Sequence, residues 1–441
     1  MAVTDPYFGP EVVDRPLGAT VVREQKAATA YIVGTAPVHL AHPSPGEAAA
    51  IVETDIIIRS AAEAVAAFGP VTAGYTLPTA LEAIFDQAQT RGVGTLVVRN
   101  VFNPATHLDG EEPAAPDVSE VTVTDIIGAF GADGTPTGLK GAYGCYQKFG
   151  WFPKFVHAPG FAMGTGVRAE LETICNRIRA RSFLDAPPAA PVQDAIEARG
   201  NDGDFNWQLA NRRLVLCWPE MLVARGEAIV AEPYSSRLLG VWLSSILEHG
   251  YHHSPSNRPI FGIEGTSPPV LYIPGDPASD AQLLRGAGIV TTQERWGQGP
   301  HTAGNRSSAY PTDPDMRNFL HVQFIQDMLD EAVLFFLDAF ADRNATPARI
   351  ERVEEDVNAF IRAKTAADPA SGHDPALYDG RFWFDRQRTT VQSVAEGQFF
   401  YGLDYAPVGV MERITVERGI NIDLIADPLG LASAADDSGA F

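Results

Sequence analysis

The chain has 441 residues, of which 45% are apolar and 9% aromatic, so it can bury more than one hydrophobic core and is not globally disordered. Its 55 acidic residues outnumber the 33 basic residues, and the resulting formal net charge of −22 would repel the phosphates of a nucleic acid. We therefore expect no direct nucleic-acid binding. The acidity is explained most simply by solubility, and otherwise by a basic partner or a limit on premature self-association.

Cysteine usage and the N-terminal sequence indicate a compartment. Cys145, Cys175 and Cys217 are odd in number, widely spaced and outside any CxxC motif, which predicts reduced core residues rather than disulfides or a zinc site. The N-terminus lacks the basic and apolar regions of a signal peptide, and no run of about 20 apolar residues predicts a membrane helix. We expect a protein that is made and kept in a cytoplasm.

Residues 1–30 predict an extended N-terminal arm. Prolines and glycines in this segment exclude a helix, and the short valine pairs cannot bury much area by themselves. A frayed terminus is the alternative. The valine pairs suit a strand whose sheet is supplied by another segment, and they are Val12, Val13, Val21 and Val22.

Residues 31–284 predict an α/β domain. Apolar runs predict strands at 31–34, 95–98, 154–156 and 213–218. Apolar residues at helical spacing predict three helix faces, formed by Leu81, Ile84, Phe85 and Ala88, by Leu171, Ile174, Cys175 and Ile178, and by Leu239, Trp242, Leu243, Ile246 and Leu247. Strands that alternate with helices indicate a partly parallel sheet with helices on its faces.

Residues 285–398 predict a second domain that contains two long helices packed as a hairpin. Thr346 and Pro347 suit the start of the second helix. The apolar stripes are Ile325, Met328, Leu329, Ala332, Phe336 and Phe340 in the first helix, and Ile350, Val353, Val357, Phe360 and Ile361 in the second.

The sequence predicts a C-terminal strand arm over residues 399–425 and a flexible tail over the small, acidic residues 426–441. Alternation of period two places Val408, Val410, Ile414 and Val416 on one face of a strand. We expect this strand to form a hairpin with the segment near residues 399–405.

Motifs for catalysis or cofactor binding are incomplete in the sequence. The glycine-rich segments at 141–144 and 164–166 complete neither GxGxxG nor a P-loop, and no GxSxG nucleophile elbow occurs. His249, His252 and His253 are the best metal candidates, but their Gly-, Ser- and Pro-rich surroundings favour a turn. Asp133 precedes a glycine, which also favours a turn over a catalytic carboxylate. Loops at 295–297 and 304–306 could line a ligand site or pair internally. The sequence thus predicts no catalytic, cofactor or metal residue.

Taken in chain order, short segments of the sequence resemble the contractile tail sheath family, and most closely the shorter sheaths of P2-like and Mu-like phages and of R-type bacteriocins. Near the N-terminus they are FGPEV at 8–12, AYIVGTAP at 30–37, FGP at 68–70 and LVVR at 96–99. Further on they are IIGAFGADGTPTG at 126–138, HAPGF at 157–161, LCWP at 216–219, GYHHSPSN at 250–257, GIV at 288–290, GNR at 304–306 and VGVMERITV at 408–416. Tyr251 and His253 replace the Trp and Lys of the family's GWHK, and Trp296 is displaced from the GNR segment.

The resemblance implies a non-enzymatic structural subunit with no cofactor. Subunits of this family form hexameric rings stacked as a helix around a tail tube, and they contract to drive the tube through a target envelope. Expected partners are therefore further copies of the chain, the tube protein, and baseplate and tail terminator proteins, with no nucleic acid and no membrane. The particle would be a virion tail or a bacteriocin-like device assembled in the host cytoplasm.

The resemblance also implies a domain layout. Residues 31–284 would form an outer α/β domain, residues 285–398 an inner α+β domain completed by both chain termini, and the terminal arms would donate strands to neighbouring subunits. Charged residues on the two long helices would face the tube, namely Asp327, Asp330, Glu331, Arg349, Arg352, Glu354 and Glu355. Another tail component or a surface-array protein is the alternative, followed by an α/β enzyme for a small molecule, which would need a pocket with convergent polar groups.

Overall fold

The computed structural model describes residues 22–200, 206–368 and 372–421, together with residues 424 and 428. The chain divides after Val408, so that residues 1–408 form one unit and residues 409–441 a second. Val12, Val13 and Val21 of the predicted N-terminal arm lie outside the described residues.

Strands and helices alternate through most of the first unit. The strands are β1 (Thr29–Gly34), β2 (Ile56–Ile58), β3 (Thr95–Asn100), β4 (Phe155–His157), β5 (Ser182–Asp185), β6 (Leu214–Cys217), β7 (Glu220–Arg225), β8 (Ala228–Glu232), β9 (Gly265–Ser267), β10 (Ile289–Arg295), β11 (Gly299–Ala303), β12 (Leu377–Phe384) and β13 (Tyr401–Pro407). The helices are α1 (Val38–Ala41), α2 (Pro45–Ile51), α3 (Ala61–Phe68), α4 (Thr76–Phe85), α5 (Val123–Ile127), α6 (Cys145–Phe149), α7 (Thr165–Ile178), α8 (Val192–Arg199), α9 (Tyr234–His249), α10 (Asp280–Gly286), α11 (Leu320–Asp338), α12 (Pro347–Lys364) and α13 (Val391–Ala395). None of the helices in the described part combines the length and the apolar character that crossing a bilayer requires.

A mixed, mostly parallel sheet forms the centre of the first unit. One half has the order β2-β3-β1-β4 and the other β11-β10-β6-β5, with β2 and β11 as antiparallel edge strands. A parallel bridge between Phe155 and Arg181, with Val156 N–H donating to the Arg181 carbonyl at 2.8 Å, joins β4 to the start of β5. The two halves therefore continue as one sheet, β2-β3-β1-β4-β5-β6-β10-β11.

Helices cover both faces of this sheet, as the continuous apolar strands require. Along β1, Ile32 points into one core while Tyr31 and Val33 point into the other, and Val98 and Val97 of β3 divide in the same way. Helices α4, α9 and α11 pack on the first face, and α7 packs on the second. The predicted α/β class with a partly parallel sheet is confirmed.

Most of the predicted elements correspond to observed ones. The strands predicted at 31–34, 95–98, 154–156 and 213–218 are β1, β3, β4 and β6. The three predicted helix faces lie on α4, α7 and α9, although α4 ends at Phe85, before Ala88.

An aromatic cluster joins α11 to the central sheet. Trp242 of α9 lies with its ring centroid 5.1 Å from Phe155 of β4 and 5.8 Å from Phe324 of α11. Phe183 of β5 lies 5.8 Å from both Trp242 and Phe155. Because α11 shares this core, the expected boundary between residues 284 and 285 does not divide two compact units.

Helix α12 packs against β12, and its residues Val353, Val357 and Ile361 belong to the same hydrophobic core as α11. The expected packing of α11 and α12 as a hairpin stays a prediction. Asn358 of α12 makes the contact with β12 specific, since its amide accepts from Phe382 N–H at 2.8 Å and donates to the Phe382 carbonyl at 2.6 Å. Pro347 is the first residue of α12, as predicted.

Strand β13 pairs antiparallel with β12, with Phe382 opposite Leu403. The sequence predicted that the segment near residues 399–405 would instead pair with a strand over 408–416. The structure has no strand at 408–416, and this part of the prediction is wrong for the isolated subunit. The alternating pattern is present, but the described chain provides no sheet for it.

Candidate assembly surfaces

Glu24, close to the first described residue, is fixed within the first unit by two hydrogen bonds. Its carboxylate accepts one hydrogen bond from the Tyr251 hydroxyl at 2.5 Å and a second from Lys364 Nζ at 2.7 Å. Burial and the neighbouring Glu24 carboxylate raise the pKa of Tyr251 well above its usual value. Val22 is 7% exposed and belongs to the subunit's own core, although the sequence predicted it in an inter-subunit strand.

The β12–β13 sheet is the strongest candidate to receive a strand. It has two strands in the described part of the chain, and a two-stranded sheet is marginal unless something else supports it. On the outer edge of β12, α12 already supplies partners, because Asn358 bonds both backbone groups of Phe382 and Glu354 accepts from Phe384 N–H at 3.3 Å. The edge of β13 is therefore the better candidate for pairing with another chain.

The first residues of the second unit expose a series of apolar side chains. Met411 is 86% exposed, Ile414 73%, Val416 82% and Ile420 96%. Single exposed apolar residues are ordinary, but several within ten residues of extended chain mark an interaction segment.

Two of the seven predicted tube-facing residues are buried inside the subunit. Asp327 of α11 is 2% exposed and binds two arginines, with Arg181 Nη2 at 2.6 Å and Arg213 as a two-bond fork at 2.8 Å for each bond. Glu331 is 6% exposed and forms an ion pair with buried Lys154. The expectation that Asp327 and Glu331 are exposed is wrong, because they neutralise basic residues that enter the core from the central sheet.

The other predicted residues differ in exposure. Arg352 and Glu355 lie on the exposed side of α12, where Arg352 Nε is 3.4 Å from Asp356. Arg349 and Glu354 are half-buried. Asp330 of α11 is also half-buried, and burial raises the pKa of its carboxyl. Their contact with a tube stays a prediction.

The predicted histidine cluster lies at the end of α9 and in the turn after it. The rings of His252 and His253 are 4.7 Å apart, and His249 lies 5.7 Å from His253. Burial, followed by the charges of His253 and His373, lowers the pKa of His252 to about 4. Within the described ranges, no group of three His, Cys, Asp or Glu side chains is arranged to hold a metal ion.

The remaining chemical candidates have local structural roles. Asp133 Oδ1 accepts from Thr135 N–H at 3.0 Å, which is the turn that the Asp-Gly sequence predicted. Arg306 stacks over Phe319 at 3.5 Å and Tyr310 at 4.5 Å from the ring centroids, so the loop at 304–306 packs internally. Burial raises the pKa of the Cys145 and Cys175 thiols to about 12, as expected for inert core cysteines.

Comparison with known proteins shows a likeness over nearly the whole chain. No family model matches the chain. The tail sheath protein of Burkholderia phage BcepMu is 29% identical over an alignment of 486 residues, which covers 95% of this chain and 97% of the phage protein. The tail sheath protein of Escherichia phage P2 is 26% identical over 356 residues, covering 80% and 82% of the two chains. Over nearly its whole length, the chain is similar to contractile tail sheath proteins.

The fold agrees with solved sheath structures. The sheath complex of the extracellular contractile injection system PVC, in its contracted state, matches with a TM-score of 0.63 at 14% identity, over 96% of this chain and all of that chain. At this identity the match shows the fold alone.

Sequence reasoning missed the buried charge network and the hydrogen bonds of Glu24. Lys154 and Arg213 were included in predicted buried strands, and a basic residue at such a position requires an acidic partner. That signal predicted a buried carboxylate without showing which one. Glu24 gave no signal of its own, since both of its partners are more than 200 residues away in the chain.

Proposed function

We propose that this structural sheath subunit polymerises helically around an inner tube and contracts to drive that tube through the envelope of a target cell. The observation that carries the proposal is the match to phage tail sheath proteins over nearly the whole chain. The exposed apolar segment after Val408 is what a subunit that completes its fold in a neighbour would present.

Copies of the chain are the principal partners in this proposal. A helical polymer needs heterologous interfaces, in which one surface binds a different surface on the next copy without closing a ring. Hexameric rings stacked as a helix would satisfy this requirement. Further partners would be the tube protein, the tail terminator and the baseplate, and the structures that resemble this chain include the baseplate of the anti-feeding prophage.

Strand exchange would hold the copies together while they rotate. We propose that the segment Met411–Val416 is the donated strand, because Ile414 and Val416 share a face and are exposed. The acceptor would be the edge of β13. Backbone hydrogen bonds added at a sheet edge give a stable link with little dependence on side chains. Short segments beside the strand, such as the one at Gly409, would absorb the rotation during contraction.

The charged side of α12 is our candidate for the tube contact, with α12 and β12 on the inner side of the sheath. Arg352 and Glu355 are exposed there. Exposed ion pairs are individually weak and screened by salt, so they can break in turn when the sheath widens. An extensive apolar contact would resist that release.

The proposal includes no catalytic role and places assembly in the cytoplasm of a bacterial host. Contraction would use energy stored in the assembled lattice, so no residue needs to turn over a substrate. Cys145, Cys175 and Cys217 are free buried thiols, which suits a reducing compartment.

Truncation tests the proposal. A variant that ends at Val408 keeps the first unit, including both strands of the β12–β13 sheet. We expect it to remain folded by circular dichroism and to lose polymer formation in negative-stain images. A variant lacking only residues 426–441 is the matched control and should still polymerise. Normal striated tubes from the variant ending at Val408 would contradict the role of the arm.

A further inference from the structure

Trp296 stands at the tip of the β10–β11 hairpin with its side chain fully exposed, at 103% of the reference area. Backbone hydrogen bonds of the β10–β11 hairpin fix the conformation of the tip. Arg295 pairs with Gly299 in the antiparallel register, and Gln298 N–H donates to the Arg295 carbonyl at 3.0 Å. At its base, Thr292 and Thr302 are buried opposite each other. A rigidly presented tryptophan exposed to water is typical of the anchor residues that contribute most to protein interfaces.

A largely apolar cleft lies elsewhere on the same unit. Its volume is about 570 Å³, and its walls come from α4 and the loop before it, the loop after β4, and strand β8. The apolar side chains around it include Val71, Ala80, Val230 and Pro233. Clefts of 300–1,000 Å³ typically hold a buried group of drug-like size, so an indole ring fits within this one.

Charges at the tip and at the cleft are complementary. The tip carries Glu294 and Arg295 beside the tryptophan, both exposed. Arg225 lines the cleft, and its guanidinium lies 2.7 Å from the carboxylate of Glu82, which is 41% exposed. Arg225 is also paired with Glu232, which lines the cleft, so two acidic groups surround one basic group there, and a docked tip would place Arg295 near Glu82.

We propose that Trp296 of one subunit docks into this cleft on a neighbouring copy of the chain. The proposal rests on the polymerisation proposed above, because that function makes a second copy the partner. Tip and cleft are different surfaces of one chain, so the contact is heterologous and propagates instead of closing a dimer. It adds a side-chain anchor that is independent of the terminal arms.

Substitutions at the tip test the anchor. Trp296→Ala should raise the subunit concentration needed for polymer formation, measured by pelleting, by about 30-fold or more, which is the effect of truncating a central interface tryptophan. Trp296→Phe should recover a large part of the loss, because it restores an aromatic ring. The thermal melting of both variants should match that of the wild-type subunit, since the side chain has no intramolecular role.

Substitutions in the cleft test its role with a matched pair. Val230→Asp introduces a charge into the cleft from an exposed position on β8 and should impair polymer formation as Trp296→Ala does. Ile229→Asp, one residue earlier and 63% exposed but not lining the cleft, should have little effect. Equal effects of the two aspartates would contradict the assignment of the cleft.

A photo-crosslinking phenylalanine analogue at position 296 identifies the occupant directly. In polymers, we expect cross-linked peptides from segments 71–83 or 230–236 of another copy. Cross-links to another part of the chain, or to the tube protein in co-assembled particles, would overturn the proposal. Failure of the wild-type protein to polymerise would instead refute the proposed function, so the two failures are distinguishable.

Discussion

Replacing Asp327 by alanine should destabilise the subunit severely. The side chain bonds Arg181, which is fully buried, and Arg213 through two further hydrogen bonds. Gln323 also donates to it, at 3.2 Å. The substitution removes the carboxylate and leaves a buried guanidinium without its counter-charge.

The expected loss follows from the cost of breaking a buried ion pair by removing one partner, about 3–5 kcal/mol. Desolvation already lowers the pKa of Arg181 to about 10, which shows how strongly its burial disfavours the charged form. Because whole domains are stable by only about 5–15 kcal/mol, the loss is a large fraction of the total.

Urea unfolding of the variant ending at Val408, used as a monomeric background, measures this loss without interference from polymer formation. Asp338→Ala on the exposed end of the same helix is the control and should change the free energy of unfolding by less than about 0.5 kcal/mol. A loss below about 1 kcal/mol for Asp327→Ala, especially together with weaker tube binding, would refute the buried network and support the original expectation that Asp327 faces the tube.

Three further outcomes are expected. Replacing His252 and His253 together by alanine should not change the metal content of the purified protein, measured by inductively coupled plasma mass spectrometry; bound zinc lost in the double variant would contradict the turn assignment. The folded-state pKa of His252, about 4 against an ordinary 6.5, means that stability is present above pH 6.5 and is lost as the pH falls towards 4. Replacing His252 by asparagine should therefore reduce the loss of unfolding free energy between pH 6 and pH 5 by about 1 kcal/mol, and an unchanged slope would exclude this group as the cause. Charge reversal at both Arg352 and Glu355 should weaken co-sedimentation with tube, with a salt dependence, and leave tube-free polymers intact; unchanged binding at every salt concentration would contradict the electrostatic contact.

The central sheet could be predicted from sequence because its strands and helices carry strong local patterns. The apolar runs at 95–98 and 213–218 and the helical spacing of residues 239–247 predicted β3, β6 and α9, since burial on both sides of a parallel sheet demands continuous apolar strands. The order of the strands depended on long-range pairing, which no local pattern contains.

The charged positions on α11 show where pattern reading fails. Asp327 and Glu331 fall outside the apolar stripe that was assigned from helical periodicity, and charged residues outside a stripe are usually solvated. Here α11 is buried on nearly all sides of its first three turns, including Gln323. Glu331 and Asp327 can be buried because they pair with Lys154 and Arg181, which are distant in sequence. Only the tertiary structure brings these residues together.

The segment after Val408 shows a different limit. Residues 408–416 carry the alternating pattern of a strand but form no strand in the described subunit, because a strand needs another strand to pair with. A sequence can specify a strand that forms only in an assembly, and such a pattern in an exposed segment is itself evidence for one.

The most direct test of the central claim is negative-stain electron microscopy of the purified full-length protein, concentrated with and without the proposed tube partner. The proposed function predicts long striated tubes with a hollow or tube-filled centre. Only separate, monomeric particles under all conditions, or flat two-dimensional arrays, would contradict a sheath that polymerises helically.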